Sequence, residues 1–265
     1  MLGWAAGGCS DAQIDTAFKK VFTPKRTPQQ YMLVAVSDAD PDRRREAVVK
    51  VAKSDEYVSE WAIKGFVTIA LLENDPQTRC VAIRALGRTG DRRAIETCLK
   101  ILNADDYPPA EVRPPDELSG WDATAVLAEL CLAGVPDDLR QPCIDTLLKV
   151  LSQASSRHAR LAAARGLRAF ADKAVLDGLI EALRDEDFAV VYECEYSLAS
   201  LTGVTNGADP YRWNEWVEAH AGRWFEHRGQ LPPELRPPYD SKLGAFAYKT
   251  REFFRWLVPE AKEDQ

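Results

Sequence analysis

Apolar residues along this chain recur three and four positions apart, and strict apolar–polar alternation is absent. That spacing lays a single apolar stripe along a helix, whereas a half-buried strand would alternate. It predicts amphipathic helices over 29–36, 58–72, 93–102, 139–151 and 173–183, each followed by a second helix. The second helices announce themselves more clearly, because Asp40, Asp75, Ser156 or Asp187 stands where a helix starts. A short oxygen-bearing side chain there accepts hydrogen bonds from the first free N–H groups, and Pro41 and Pro76 have a preset φ that suits the next position.

The second helices share a template. Asp75, Arg79, Ala82 and Leu86 are matched by Asp40, Arg44, Ala47 and Val51, and by Ser156, Arg160, Ala163 and Leu167. Asp187, Val191, Cys194 and Leu198 keep the apolar positions without the arginine, and Asp116, Ala123 and Leu127 form a degenerate copy with Gly120 in its place. The starts at 40, 75, 116, 156 and 187 are spaced by 35, 41, 40 and 31 residues, a period that suits a two-helix solenoid unit. The expected fold is therefore all-α: a right-handed α-solenoid of about five helical hairpins over 10–203, with an extra N-terminal helix.

Beyond the repeats the composition shifts. Residues 204–229 hold Trp213 and Trp216, three apart on a predicted helix, and are expected to cap the open end of the stack. Residues 230–240 carry Pro232, Pro233, Pro237 and Pro238 and read as an extended linker. In 241–265, Leu243, Phe246, Phe253, Phe254 and Leu257 sit at helical spacing and predict an amphipathic helix and tail. A further proline-rich stretch, 107–115, is expected to project from one edge of the repeats.

Charge and chemistry narrow the function. The net charge of −7 argues against a general nucleic-acid binder, since that affinity comes from Lys and Arg neutralising phosphates. No apolar run approaches the roughly 20 residues that cross a bilayer. Among six cysteines there is no CxxC pair, and Cys80, Cys98, Cys131, Cys143 and Cys194 sit among apolar residues as packing groups. The three histidines lie apart from carboxylates at ligand spacing, so no metal or cofactor is expected. The acidic groups Asp185-Glu186-Asp187 and Glu193/Glu195 read as a helix start and a solvated helix face. No nucleotide loop, nucleophile elbow or zincin motif occurs, which points away from an enzyme.

The pattern D-P-x-x-R-x-x-A-x-x-A-L-x-x-x-G-D at 75–91 resembles HEAT repeats, particularly the bacterial HEAT-like repeats first grouped with phycobilisome lyases. The resemblance implies that repeated Asp and Arg residues bond between adjacent units, making Asp40, Arg44, Asp75, Arg79 and Arg160 a structural ladder. The closing Leu201-Thr202-Gly203, Asp209 and Trp213/Trp216 resemble the end of HEAT-repeat proteins of planctomycete-type bacteria. The first nine residues resemble the end of a bacterial lipoprotein signal, with small residues ahead of Cys9 but Ala6 where such signals usually have Leu. That likeness implies a lipidated Cys9, a start upstream of Met1 and anchoring at the cell envelope; the alternative is a cytoplasmic chain with a frayed N-terminus.

The function these features imply is binding. A monomeric scaffold would hold a protein or peptide in a groove lined by the second helices, with Arg84, Arg88, Arg165, Arg168 and Tyr196 as candidate surface residues. The repeat resemblance also allows a bilin lyase or chaperone. A reader of nucleic-acid lesions is a further alternative, disfavoured by the acidity.

Overall fold

The computed structural model describes residues 26–236. The Cys9 segment, the expected N-terminal helix, the end of the proline-rich linker and the amphipathic segment 241–265 lie outside the described residues. Eleven α-helices follow one another, with no strand among the described residues. They are α1 (Pro28–Ser37), α2 (Pro41–Ala52), α3 (Glu60–Leu72), α4 (Pro76–Arg88), α5 (Arg92–Leu102), α6 (Glu117–Ala133), α7 (Asp137–Gln153), α8 (Arg157–Leu167), α9 (Lys173–Glu181), α10 (Phe188–Thr202) and α11 (Pro210–Ala219). This is the helical-hairpin order of a HEAT-type α-solenoid, and the helices fall into two compact units divided between Ser119 and Gly120.

The repeated Asp residues start the second helices by satisfying free backbone donors. Asp40 accepts from the Asp42 N–H at 2.9 Å, Asp75 from Thr78 at 2.7 Å and Asp187 from Ala189 at 2.9 Å. The degenerate copy does the same: Asp116 accepts from the N–H groups of Leu118 and Ser119 at 2.9 and 3.1 Å. Ser156 departs from its expected role, since its side chain makes no capping bond. The turn before it is braced by Arg160, which donates to the carbonyls of Ala154 and Ser155.

In the first unit α1, α3 and α5 pack side by side, and α2 packs beside α4 and against α1. Ala47 and Ala82, the small residues of the template, are buried among Val48, Val51, Ile83 and Leu86. The α1–α3 approach is close enough that a Cβ on Gly65 would meet the Met32 sulfur at 2.4 Å. Across α3 and α5, the Arg93 guanidinium donates to both oxygens of Glu60 at 3.1 and 2.9 Å.

The stretch 107–115, expected to project, leaves 108–111 exposed but is tied to this unit at its far end. Val112 is buried, and the Arg113 N–H donates to the Leu71 carbonyl at 2.9 Å. The cause is Arg79, whose buried guanidinium draws the carbonyls of Arg113 and Pro114 onto α4.

The second unit repeats the layering. The row α7, α9, α11 lies against the row α8, α10. Gly166 of α8 permits α6 to approach, since a Cβ there would lie 2.9 Å from the Ala128 Cα. Gly203 ends α10 in the left-handed conformation with φ of 80°, and the His227 backbone packs against it. Trp213 of α11 is fully buried and donates from Nε1 to the Gly207 carbonyl at 2.8 Å. Trp216 meets it edge-on at 6.0 Å and stacks on His220.

Candidate functional site

The template arginines reach the next repeat, but the groups they meet are not the repeated Asp residues. Arg44 donates to both carboxylate oxygens of Glu73 at 2.9 and 2.8 Å, and to the carbonyls of Asp38 and Ala39 in its own inter-helix turn. Arg160 does the same in the second unit, donating to both oxygens of Asp185 at 2.7 and 3.0 Å and to the carbonyls of Ala154 and Ser155. Glu73 and Asp185 each stand two residues before the repeated Asp of the following helix. Each also accepts the N–H of that Asp, at 2.8 Å in both turns. One carboxylate therefore closes its own turn and holds the arginine of the preceding repeat.

Arg79 occupies the same place with different partners. The residue two before Asp116 is Pro114, which offers no carboxylate. Arg79 donates instead to the carbonyls of Ala70, Arg113 and Pro114, at 2.8, 2.6 and 2.9 Å for Ala70, Arg113 and Pro114 in turn. Its side chain is 1% exposed, and burial without a bonded carboxylate lowers its pKa. Asp40 and Asp75 serve their own helix starts and do not receive these arginines. Three of the five expected ladder residues thus make cross-repeat contacts, and two do not.

Charge follows geometry in these turns. Burial works to raise the Glu73 pKa, but Arg44 and the backbone N–H groups outweigh it and hold the carboxyl below its usual value. For Asp185, too, burial is outweighed, by Arg160 and the Asp187 N–H.

The candidate binding residues separate. Arg84 and Arg88 lie on α4 of the first unit, where Arg88 donates to the Ala52 carbonyl at 3.3 Å and covers the Tyr57 ring. Arg165, Arg168 and Tyr196 come together in the second unit, across α8 and α10. Arg168 lies over the Tyr196 ring at 5.3 Å, and both arginines face one carboxylate, Glu193.

That carboxylate was expected on a solvated face, yet its side chain is 12% exposed. Its contacts are long, 3.6 Å to Arg165 Nε and 3.5 Å to Arg168 Nη1, against the roughly 2.7–2.9 Å of a well-made charge-assisted bond. Burial therefore prevails over both guanidiniums and raises the Glu193 pKa, the reverse of Glu73 and Asp185. Arg165 Nε itself is buried without a hydrogen-bond partner among the described residues. The arrangement holds two cations beside one poorly paired anion.

Sequence reasoning missed the rest of this face. Phe188, Tyr192 and Tyr196 stand at i, i+4 and i+8 on α10, opposite the buried Val190, Cys194 and Leu198. Phe188 is 80% exposed and Tyr192 50%. On the neighbouring second helices, Trp121 of α6 packs against His158 of α8 at 5.1 Å. The aromatic spacing was present in the sequence, but it reads equally well as a core stripe until the buried side of α10 is known.

Among the described residues, no group of three or more His, Cys, Asp or Glu could hold a metal ion. Cys80, Cys98, Cys131, Cys143 and Cys194 are all buried thiols outside any disulfide, and burial pushes the Cys194 thiol up to about 12.

A profile of HEAT repeats matches residues 144–208, which run from within α7 through α10 to the turn that follows it. With the stacked hairpins of both units, this match supports a HEAT-repeat protein. No curated protein matches the chain.

Proposed function

We propose that this HEAT-repeat chain is a non-catalytic scaffold that holds a protein or peptide partner on the second helices of its second unit. HEAT repeats generally act as protein-interaction scaffolds, and the matched stretch contains the α8–α10 face. The observation that carries the reading is the exposure of Phe188 and Tyr192 in the same row of α10 as Tyr196, the ring that Arg168 covers. Aromatic and arginine side chains are those most enriched where interfaces derive their energy. On this reading the chain acts as a monomer, and a lipid on Cys9 would hold it at a bacterial envelope; mass spectrometry of the native N-terminus tests that anchor, and an unmodified residue ahead of Cys9 removes it.

The scaffold reading is tested with a photo-crosslinking phenylalanine at position 192 in the full chain, exposed to an extract of the native cell. A discrete adduct that disappears in Arg168→Glu supports it. An adduct pattern indistinguishable from that of the same label at Leu33, an exposed residue of α1 in the other unit, overturns it.

A further inference from the structure

We infer that the partner of the α8–α10 face is an acidic peptide that places a carboxylate within one helical turn of an aromatic or branched apolar side chain. The inference deepens the scaffold reading and rests on it.

The carboxylate half of the argument begins with donors. Two guanidiniums carry ten N–H groups, and among the described residues Glu193 is the acidic side chain bridged to them. Its contacts to them are long, and Arg165 Nε, shielded from water, has Glu193 at 3.6 Å but no hydrogen bond among the described residues. A buried donor left unmade is costly, and native structures rarely keep one without reason. The structural bridges of this protein do not look like this. Arg44 and Arg160 each meet a carboxylate through two short bonds and fill their remaining donors with turn carbonyls. Arg165 retains 43% of its side-chain exposure, so its outer edge is open to an incoming anion. Glu195, the other acid of this stretch of α10, is engaged by the Thr205 hydroxyl at 2.8 Å. In a chain of net charge −7, an under-neutralised arginine pair is a local exception that complements a negative ligand.

The apolar half comes from α10. Tyr196 lies under Arg168, Tyr192 is one turn away and Phe188 two turns away, with exposure rising along the row. One turn is about 5.4 Å. A ligand whose carboxylate reaches Arg165 and Arg168 therefore brings a side chain one turn distant onto Tyr192. This geometry fits a helical acidic peptide better than a polyanion such as nucleic acid, which would leave Phe188 and Tyr192 uncovered.

The test uses the full chain and two fluorescein-labelled helical peptides. One is built of Glu, Leu and Phe, and its twin has Gln at every Glu. Fluorescence anisotropy at low salt is expected to show the acidic peptide binding about tenfold or more tightly than its twin. Added salt should narrow the gap. Arg165→Gln with Arg168→Gln should erase the preference, and Phe188→Ser with Tyr192→Ser should weaken both peptides alike; these side chains are partly or largely exposed, and circular dichroism confirms that each variant is folded. Equal affinities, a preference that survives loss of both arginines, or no binding of either peptide overturns the inference. If that happens while the crosslink at position 192 persists, the acidic chemistry falls and the scaffold reading stands. If the crosslink is absent as well, both fall.

Discussion

Arg160 donates to both oxygens of Asp185, 25 residues ahead, and so ties the start of one second helix to the turn before the next. Both side chains are about nine-tenths buried, and each fills its remaining valences with backbone groups of its own turn. Removing one partner strands the other in a largely dry place. Asp185→Asn should therefore cost about 3 kcal/mol, read as a lower urea midpoint with unchanged slope.

Acid should weaken the same turns. Glu73 and Asp185 are held below their unfolded pKa values, so the unfolded chain takes up the protons first as pH falls. Their stabilising contribution is complete above the ordinary carboxylate range and drains away as pH falls through that range towards the folded values. Urea midpoints measured from pH 7 down to 3 should decline, and Arg44→Gln should decline less steeply than the parent.

Glu193 should behave oppositely. Its folded pKa is raised, so ionisation at neutral pH opposes folding rather than supporting it. Glu193→Gln should leave the urea midpoint at pH 7 unchanged or higher, where Asp185→Asn lowers it. It also frees both arginines, so the acidic peptide should bind more tightly to this variant.

Arg79→Met should loosen 107–115 before it unfolds the protein. Three carbonyls lose charge-assisted donors, each worth about 1.5–3 kcal/mol. Hydrogen exchange of the Arg113 amide, bonded to Leu71, should accelerate sharply while amides within α7–α10 remain protected.

Two glycines with similar backbones should respond differently to alanine. Gly90 has φ of 66° and open space around it, so Gly90→Ala costs only the left-handed penalty, about 1–2 kcal/mol. Gly203 has φ of 80°, but an added Cβ would lie 2.4 Å from His227 Cβ and 2.8 Å from its carbonyl oxygen. Gly203→Ala should cost more and detach the His227–Arg228 segment from the end of α8, where Arg228 donates to Ala169 at 2.6 Å. Thermal melts and exchange at 226–229 separate the two.

The helix order was legible because its signals are local. Asp40, Asp75 and Asp187 start their helices through bonds to residues two or three ahead, which spacing alone reveals. The cross-repeat partners were less legible. Asp75 and Glu73 are both acidic and two residues apart, and only the docking of α4 on α2 decides which one Arg44 reaches. Glu193 was misread for a similar reason: its burial is created by α8, not by its own helix. The placing of Arg165, Arg168 and Tyr196 together depended on the same docking, and the segments around Cys9 and Phe253 lie beyond the described residues.

The backbone grip of Arg79 has an evolutionary consequence. Arg44 and Arg160 hold their successors through an acid, so positions 73 and 185 are constrained in sequence. Arg79 reads only carbonyls, which every residue possesses, so side chains at 113 and 114 can drift without breaking the joint. The turn that Arg79 holds is the one that leads to Asp116, and it has no acid two residues before that start. A sequence-blind contact of this kind lets a turn lose its acid and still be held.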